Sequence, residues 1–315
     1  MIDQYGRTID YMRLSVTDLC NLRCIYCMPS EGVTKRNHQD ILSVEEIEEI
    51  VQTAASLGIH KIRLTGGEPL VRRGIEEIVA RVANVSGIDE VALTTNGILL
   101  PEKIDFLKQA GVTRINISLD TLNENLYREI TRGGELADAL RGIEAVLAAG
   151  MLPLKINAVL IGGVNDEQIV QLVELTKNEE VHLRFIELMP MGQCVDWNQE
   201  RFISADTVLK KIPALHFIGR QGVANVYRQE GYKGTVGLIN PVSNHFCESC
   251  NRIRVTADGK MKPCLHSHDE IVLKGLHGKA LFDTMKQAIY EKPCSHHLDS
   301  DTGSDSARDM YSIGG

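Results

Sequence analysis

From residue 60 onward, short runs dense in Ile, Val and Leu alternate with longer stretches whose apolar residues recur at helical spacing. KIRLTGG (61–67), EVALTTNG (90–97), TRINISLD (113–120), LPLKINAVLIGG (152–163) and VHLRFIEL (181–188) read as buried strands, each followed by glycine or a polar turn. YMRLSVTD (11–18) supplies an opening strand. Between them, SVEEIEEIVQTAASLG carries Ser43 and Glu46 at capping-box spacing and stops at Gly58. GIEEIVARVANV, PEKIDFLKQAG and ELADALRGIEAVLAAG show the same period, the last two ending at glycine. Six strand–helix units imply a parallel sheet with right-handed crossovers. A closed eightfold barrel takes roughly 250 residues, and these units fill about 190, so the expected fold is α/β, an incomplete (β/α)6 TIM-like barrel.

The alternation stops near residue 190. VANVYR, GTVGLI and RIRVTADGK are short β-like stretches, followed by a last helix, GKALFDTMKQAIYEK. The expected division is a partial barrel (1–190), a C-terminal α+β cap (191–294) and a tail (295–315). That tail is polar, poor in aliphatics and expected to be flexible, and it ends in Gly314 and Gly315.

Composition adds exclusions. Hydrophobic residues at 43% and charged residues at 24% describe a folded soluble chain. A net charge of −8 argues against broad nucleic-acid binding. No apolar run approaches the roughly 20 residues a membrane span needs. MIDQYGRTIDYMR has no signal-peptide pattern. A cytoplasmic location is the default, and there eight cysteines are not expected to be disulfides.

Six of those cysteines form two triplets. CNLRCIYC holds Cys20, Cys24 and Cys27 after the first strand; FCESCNRIRVTADGKMKPC holds Cys247, Cys250 and Cys264. Three thiolates on a four-iron cluster leave one iron free for a small molecule, much as a catalytic zinc keeps one position open. Cys194 and Cys294 stand apart and are read as ordinary thiols. His266 and His268, in CLHSH, leave a Cys3His zinc site open for the second triplet. Between its cysteines lies NRIR; on a strand, Arg252 and Arg254 share one face, an arrangement suited to a polyphosphate. Other unusual residues fall at strand ends, where barrel chemistry gathers: GGEP (66–69), TTNG (94–97), Ser118 and Asp120, Glu187 and Met189.

The Cys-x3-Cys-x2-Cys spacing with Tyr26 before the last cysteine resembles the radical S-adenosylmethionine (SAM) enzymes. That resemblance implies a [4Fe–4S] cluster on Cys20, Cys24 and Cys27, with SAM held near Tyr26, Gly67, Glu68, Ser118 and Met189. MRLSVTDLCNLRCIYCMP, IRLTGGEPLVRRG, LTTNGILL, NISLD, KINAVLIGGVND, RFIELMPMG, FCESCNRIRVTADGKMKPCL and the terminal SIGG together resemble one family within it, the GTP 3′,8-cyclases of molybdenum cofactor biosynthesis. This second resemblance implies another [4Fe–4S] cluster on Cys247, Cys250 and Cys264. It implies GTP contacts at Arg13, Arg63, Thr94, Lys155, Arg184, Arg252, Ile253 and Arg254, and roles in the reaction for Arg252, Arg254, Gly314 and Gly315. The implied reaction joins ribose C3′ to guanine C8. The implied partners are a reductant protein and the cyclic pyranopterin monophosphate synthase that takes the product. A homodimer stays open; membranes and nucleic acid are not expected. The rival readings are a radical SAM peptide-modifying enzyme with an auxiliary cluster and a non-enzymatic metal-binding scaffold.

Overall fold

The structure, a computed structural model, describes residues 1–197, 199–296, 298 and 303–314. Its first half follows the hydrophobic pattern: β1 (Tyr11–Ser15), α1 (Val44–Ser56), β2 (Lys61–Thr65), α2 (Ile75–Ala83), β3 (Glu90–Thr95), α3 (Leu100–Gln109) and β4 (Arg114–Ser118). There follow α4 (Glu124–Thr131), α5 (Leu136–Ala148), β5 (Leu154–Leu160), α6 (Ile169–Glu174) and β6 (Val181–Glu187). The capping box is present: Glu46 N donates to Ser43 Oγ (3.1 Å) and Ser43 N to Glu46 Oε2 (2.8 Å). No helix among the described residues is long and apolar enough to cross a membrane.

After β6 come α7 (Thr207–Lys211), β7 (His216–Gln221), β8 (Ala224–Arg228), β9 (Thr235–Ile239), β10 (Arg252–Val255), β11 (Lys260–Lys262), β12 (Ile271–Val272), α8 (Gly278–Tyr290) and α9 (Met310–Ile313). These strands are built into the sheet rather than laid over it. The strand order is β12-β11-β10-β1-β2-β3-β4-β5-β6-β9-β8-β7. β10 pairs parallel with β1, and β9 parallel with β6. The expected cap thus extends both open edges of the partial barrel. Strand edges left with bare N–H and C=O groups need a partner, and residues 235–239 and 252–255 supply one on each side.

Strand alternation sorts the side chains. On β1, Met12 and Leu14 are fully buried against the helices, whereas Arg13 on the opposite face lines a central cavity. Residues from β1 to β6, β9 and β10 all reach that one cavity, so the sheet curls into an incomplete barrel with a polar lumen.

The tail departs from expectation. Ser306, Ser312 and Ile313 are buried, and Met310–Ile313 forms a helical turn. Its few apolar residues and Arg308 find partners in the folded chain, a tertiary effect that composition does not reveal.

Candidate active site

The cavity, of about 340 Å³, opens at the C-terminal strand ends and is lined by all six triplet cysteines. The loop after β1 that carries Cys20, Cys24 and Cys27 is stitched to the end of α4. Arg23 N donates to Thr131 O (3.0 Å) and Ile25 N to Ile130 O (2.9 Å). Arg132, in the left-handed conformation that ends α4, donates from Nη1 to Met28 O (2.8 Å). Cys24 O accepts from both Cys27 N (2.9 Å) and Met28 N (3.1 Å), which turns the loop tightly. Burial pushes the Cys20 thiol up to about 11 and raises Cys24 and Cys27 well above the ordinary thiol range. Bound metal is what makes such thiols anionic.

Gly66–Glu68 lies directly against this loop. Gly67 N donates to Thr17 O (2.8 Å) and Glu68 N to Leu19 O (2.8 Å). A Cβ on Gly67 would collide with the Asp18 and Leu19 carbonyls, so this close approach requires glycine. The buried Glu68 carboxylate accepts from Leu70 N (3.0 Å), Thr95 Oγ1 (2.8 Å) and Asn96 N (2.7 Å), tying the ends of β2 and β3 together. Burial lifts it to about 7 despite those donors. Tyr26 donates through its hydroxyl to Asp120 (2.7 Å), and its carbonyl accepts from Cys194 Sγ (3.3 Å). Ser118, Asn157 and Met189 complete this end of the wall.

Across the cavity, Cys247 and Cys250 sit on a short 3-10 turn, with Cys250 N bonded to Cys247 O (3.1 Å). Arg7 knots this region to the chain near α8. Its guanidinium donates to the carbonyls of Cys247 (3.0 Å), Cys294 (2.9 Å), Lys292 (3.2 Å) and Pro293 (2.7 Å). Burial raises the Cys250 thiol, but the neighbouring Lys292 ammonium leads the effects that outweigh it, and the thiol ends below its ordinary range. His245, His296 and His266 stack in sequence, with centroids 4.4 and 4.6 Å apart. His266 Nδ1 lies 3.0 Å from Ser304 Oγ.

Between the triplets the lumen is basic. Parallel register sets Arg13 beside Arg254 on one side and beside Arg63 on the other, with Tyr11 beside Arg252. The Arg63 and Arg252 guanidiniums lie over the Tyr11 ring at 5.4 and 5.5 Å. Among the described residues, Arg63 Nε, Arg252 Nε and Thr94 Oγ1 are buried without a hydrogen-bond partner. Buried donors of this kind are normally satisfied, so a ligand rich in acceptor oxygens suits the space they face.

Most of the residues expected at the site meet on this cavity, with four exceptions. Ile253 points to the other face of β10, into the hydrophobic core, because adjacent strand residues alternate; its side chain cannot touch a ligand in the lumen. Lys155 is buried beside Arg184 but off the cavity wall. Gly315 lies outside the described residues. Gly314 is not on the cavity wall either, but it touches a residue that is: its carbonyl accepts from Arg254 Nη1 at 2.6 Å. Arg7, Lys292 and Cys194 also serve the site, and no local motif marks them.

Residues 14–176 match the radical SAM superfamily and residues 181–298 match the family Molybdenum Cofactor Synthesis C. A GTP 3′,8-cyclase of Alkaliphilus oremlandii is 48% identical over 320 residues, covering 100% of both chains. One of Peptoclostridium acidaminophilum is 50% identical over 322 residues, covering 100% of this chain and 98% of the relative. The chain belongs to the GTP 3′,8-cyclase family. Among solved structures, Streptococcus suis SuiB bound to S-adenosylmethionine superposes with a TM-score of 0.62 at 14% identity, over 91% of this chain and 65% of that one. Escherichia coli coproporphyrinogen III oxidase (HemN), a radical SAM enzyme, gives 0.51 at 13% identity, over 75% and 64%. Those two likenesses speak to the fold alone.

As a radical SAM cyclase-family member, the chain takes a [4Fe–4S] cluster and SAM. The donor set fits the cluster. Cys20, Cys24 and Cys27 share one short loop and face the cavity, while no three His, Cys, Asp or Glu side chains among the described residues are placed to hold a single metal ion. A cubane takes its thiolates on separate irons, so its ligands need not converge on one point.

Proposed function

We propose that this chain cyclises GTP, joining ribose C3′ to guanine C8 to give (8S)-3′,8-cyclo-7,8-dihydroguanosine 5′-triphosphate in the first step of molybdenum cofactor biosynthesis. The observation that carries this reading is the meeting of two cysteine triplets and a carboxylate-poor arginine lumen in one cavity. Cys20, Cys24 and Cys27 would hold the first cluster, and Cys247, Cys250 and Cys264 a second. When bound, the first cluster and SAM supply a one-electron route to a radical that takes the C3′ hydrogen.

The chain's own residues do the rest by positioning. Arg13, Arg63, Arg184, Arg252 and Arg254 grip the triphosphate, and Thr94 adds an oxygen partner. Each charge-assisted contact contributes roughly 1.5–3 kcal/mol. Fixing the triphosphate at one end and the base near the second triplet holds C3′ and C8 in the geometry that closes the ring. Glu68 and Asp120 do not face the substrate as free acids: their oxygens are engaged by Leu70, Thr95, Asn96, Tyr26 and Val159. They hold the SAM end of the wall in shape.

A cytoplasmic setting, a reductant protein and the cyclic pyranopterin monophosphate synthase as next enzyme go with this reading. Anaerobic incubation of reconstituted protein with SAM, a reductant and GTP, followed by mass analysis, tests it. A product isomeric with GTP that requires SAM supports it; a modified peptide, or GTP recovered unchanged, defeats it.

A further inference from the structure

Gly314 meets Arg254, a residue of the cavity wall, from a stretch of chain that is fastened six residues earlier, at Arg308. The Arg308 guanidinium donates to Asp258 from Nη1 (3.0 Å) and Nη2 (2.9 Å), and to Glu270 from Nη2 (2.9 Å) and Nε. The three side chains are only 13%, 11% and 20% exposed. Exposed ion pairs contribute little, but a forked guanidinium shared by two sheltered carboxylates is geometrically specific. The hydrogen bond from Arg308 is the main reason Glu270 sits at about 2.

What the clamp grips matters more than its strength. Asp258 lies in the turn between β10 and β11, so it is continuous with the strand that carries Arg252 and Arg254. Arg36 carries the ion-pair chain onward, bonding Asp258 (3.5 Å) and Asp18 (2.7 Å), two residues before Cys20. On the other side, Gln193 donates to Asp309 (3.2 Å), fixing the tail against the loop after β6. From there the α9 turn buries Ile313 and delivers the Gly314 carbonyl to Arg254.

We propose that Arg308 is a positioning residue for the cyclisation: its clamp on Asp258 and Glu270 sets the chain end so that Gly314 meets Arg254 at the cavity wall. The inference rests on the GTP-cyclase reading. Fastening a segment a few residues from its point of action raises its effective concentration there, whereas a free segment spreads over a volume that grows with its length. Arg308 does not line the lumen, so it acts through the segments it ties together, the tail on one side and Asp258 and Glu270 on the other.

The test uses full-length, anaerobically reconstituted protein carrying Arg308→Ala, Arg308→Lys or Asp258→Asn. Hydrogen exchange across residues 303–314, iron content, SAM binding, and kcat and KM for GTP are read together. Arg308→Ala is expected to speed exchange in 303–314 and lower kcat on the order of tenfold, with KM less affected and iron unchanged. Arg308→Lys should recover part of the loss, since an ammonium meets one carboxylate but cannot fork across two. Unchanged exchange, or unchanged kcat, in Arg308→Ala overturns the proposal. Loss of iron in step with activity across all three variants overturns it in favour of a general structural role. If the wild-type protein makes no cyclised product, the GTP reading fails instead, and the exchange data still decide whether Arg308 anchors the tail.

Discussion

Arg13 and Arg254, from opposite ends of the chain, stand side by side in register on β1 and β10. Burial and the neighbouring Arg254 hold Arg13 well below the ordinary guanidinium range; burial and Arg252 bring Arg254 to about 10. Like charges placed together in a sheltered sheet destabilise it, so a polyanion that enters the lumen relieves a built-in repulsion.

A stability measurement follows from that pair. GTP or inorganic tripolyphosphate should raise the melting temperature, by an amount equivalent to about 2.7 kcal/mol at a hundredfold excess over Kd. Guanosine, lacking phosphates, should give much less. Arg252→Ala should weaken GTP by roughly 1.5–3 kcal/mol and guanosine far less. Equal losses for both ligands in calorimetry would show that the triphosphate lies elsewhere.

Lys155, buried beside Arg184 and off the cavity wall, gives the fold a pH dependence. Burial, then Arg184, depresses its ammonium to about 6 from an ordinary 10.5. Between those values the unfolded chain binds the extra proton and the folded one does not. Stability attributable to this group therefore rises with pH across that window and is lost as pH falls through about 6. The urea midpoint of wild type should rise relative to that of Lys155→Met as pH goes from 6 to 9. A polyanion gripped by Arg184 offsets only the like-charge part of that depression and leaves the burial that leads it, so GTP binding near pH 7.5 should take up at most a fraction of a proton. Calorimetry in buffers of different ionisation enthalpy reads this directly, and a binding heat independent of buffer would show that Lys155 does not sense the ligand.

Metal content separates the two triplets. With a cubane on each, reconstituted protein should carry about eight irons. Replacing Cys247, Cys250 and Cys264 with alanine should halve the iron and spare SAM binding. One retained zinc with no more than four irons would leave the second triplet a zinc site.

The parts of the molecule legible in the sequence share a physical basis. The six strands announce themselves by period and by glycine at their ends, and both triplets by spacing. NRIR shows the one-face pairing of Arg252 and Arg254 as soon as it is taken for a strand. Ile253 follows the same alternation rule, which puts its side chain in the core. What stayed hidden is long-range. Nothing local says that residues 252–255 pair with β1, that Arg7 will collect the Cys247 carbonyl and three more just after α8, or that Cys194 will meet the Tyr26 carbonyl. The tail is the clearest case: polar composition describes a chain with little to bury, but Arg308 needs only two carboxylates, and those come from folding.

Gly314 offers the sharpest test of that tail. It sits at φ +79, a left-handed conformation that residues other than glycine rarely adopt, and a Cβ there would collide with Thr65 Oγ1 and crowd Ser15. Both neighbours close the ends of β1 and β2; the Thr65 hydroxyl can turn, but the paired strands behind it are fixed, so the tail is the part that shifts. Gly314→Ala should therefore displace residue 314 from beside Arg254 rather than reshape the barrel, leaving the Arg254 guanidinium without that carbonyl. Substitutions that force such a backbone cost on the order of 1–2 kcal/mol in conformation alone, before the collision is counted. The triplets lie on other segments, so iron content, SAM binding and melting temperature should stay near wild type while cyclised product falls sharply. Deleting the last two residues should do the same. If Gly314→Ala turns over GTP at the wild-type rate, the carbonyl on Arg254 contributes nothing to the reaction, and the tail only covers the cavity.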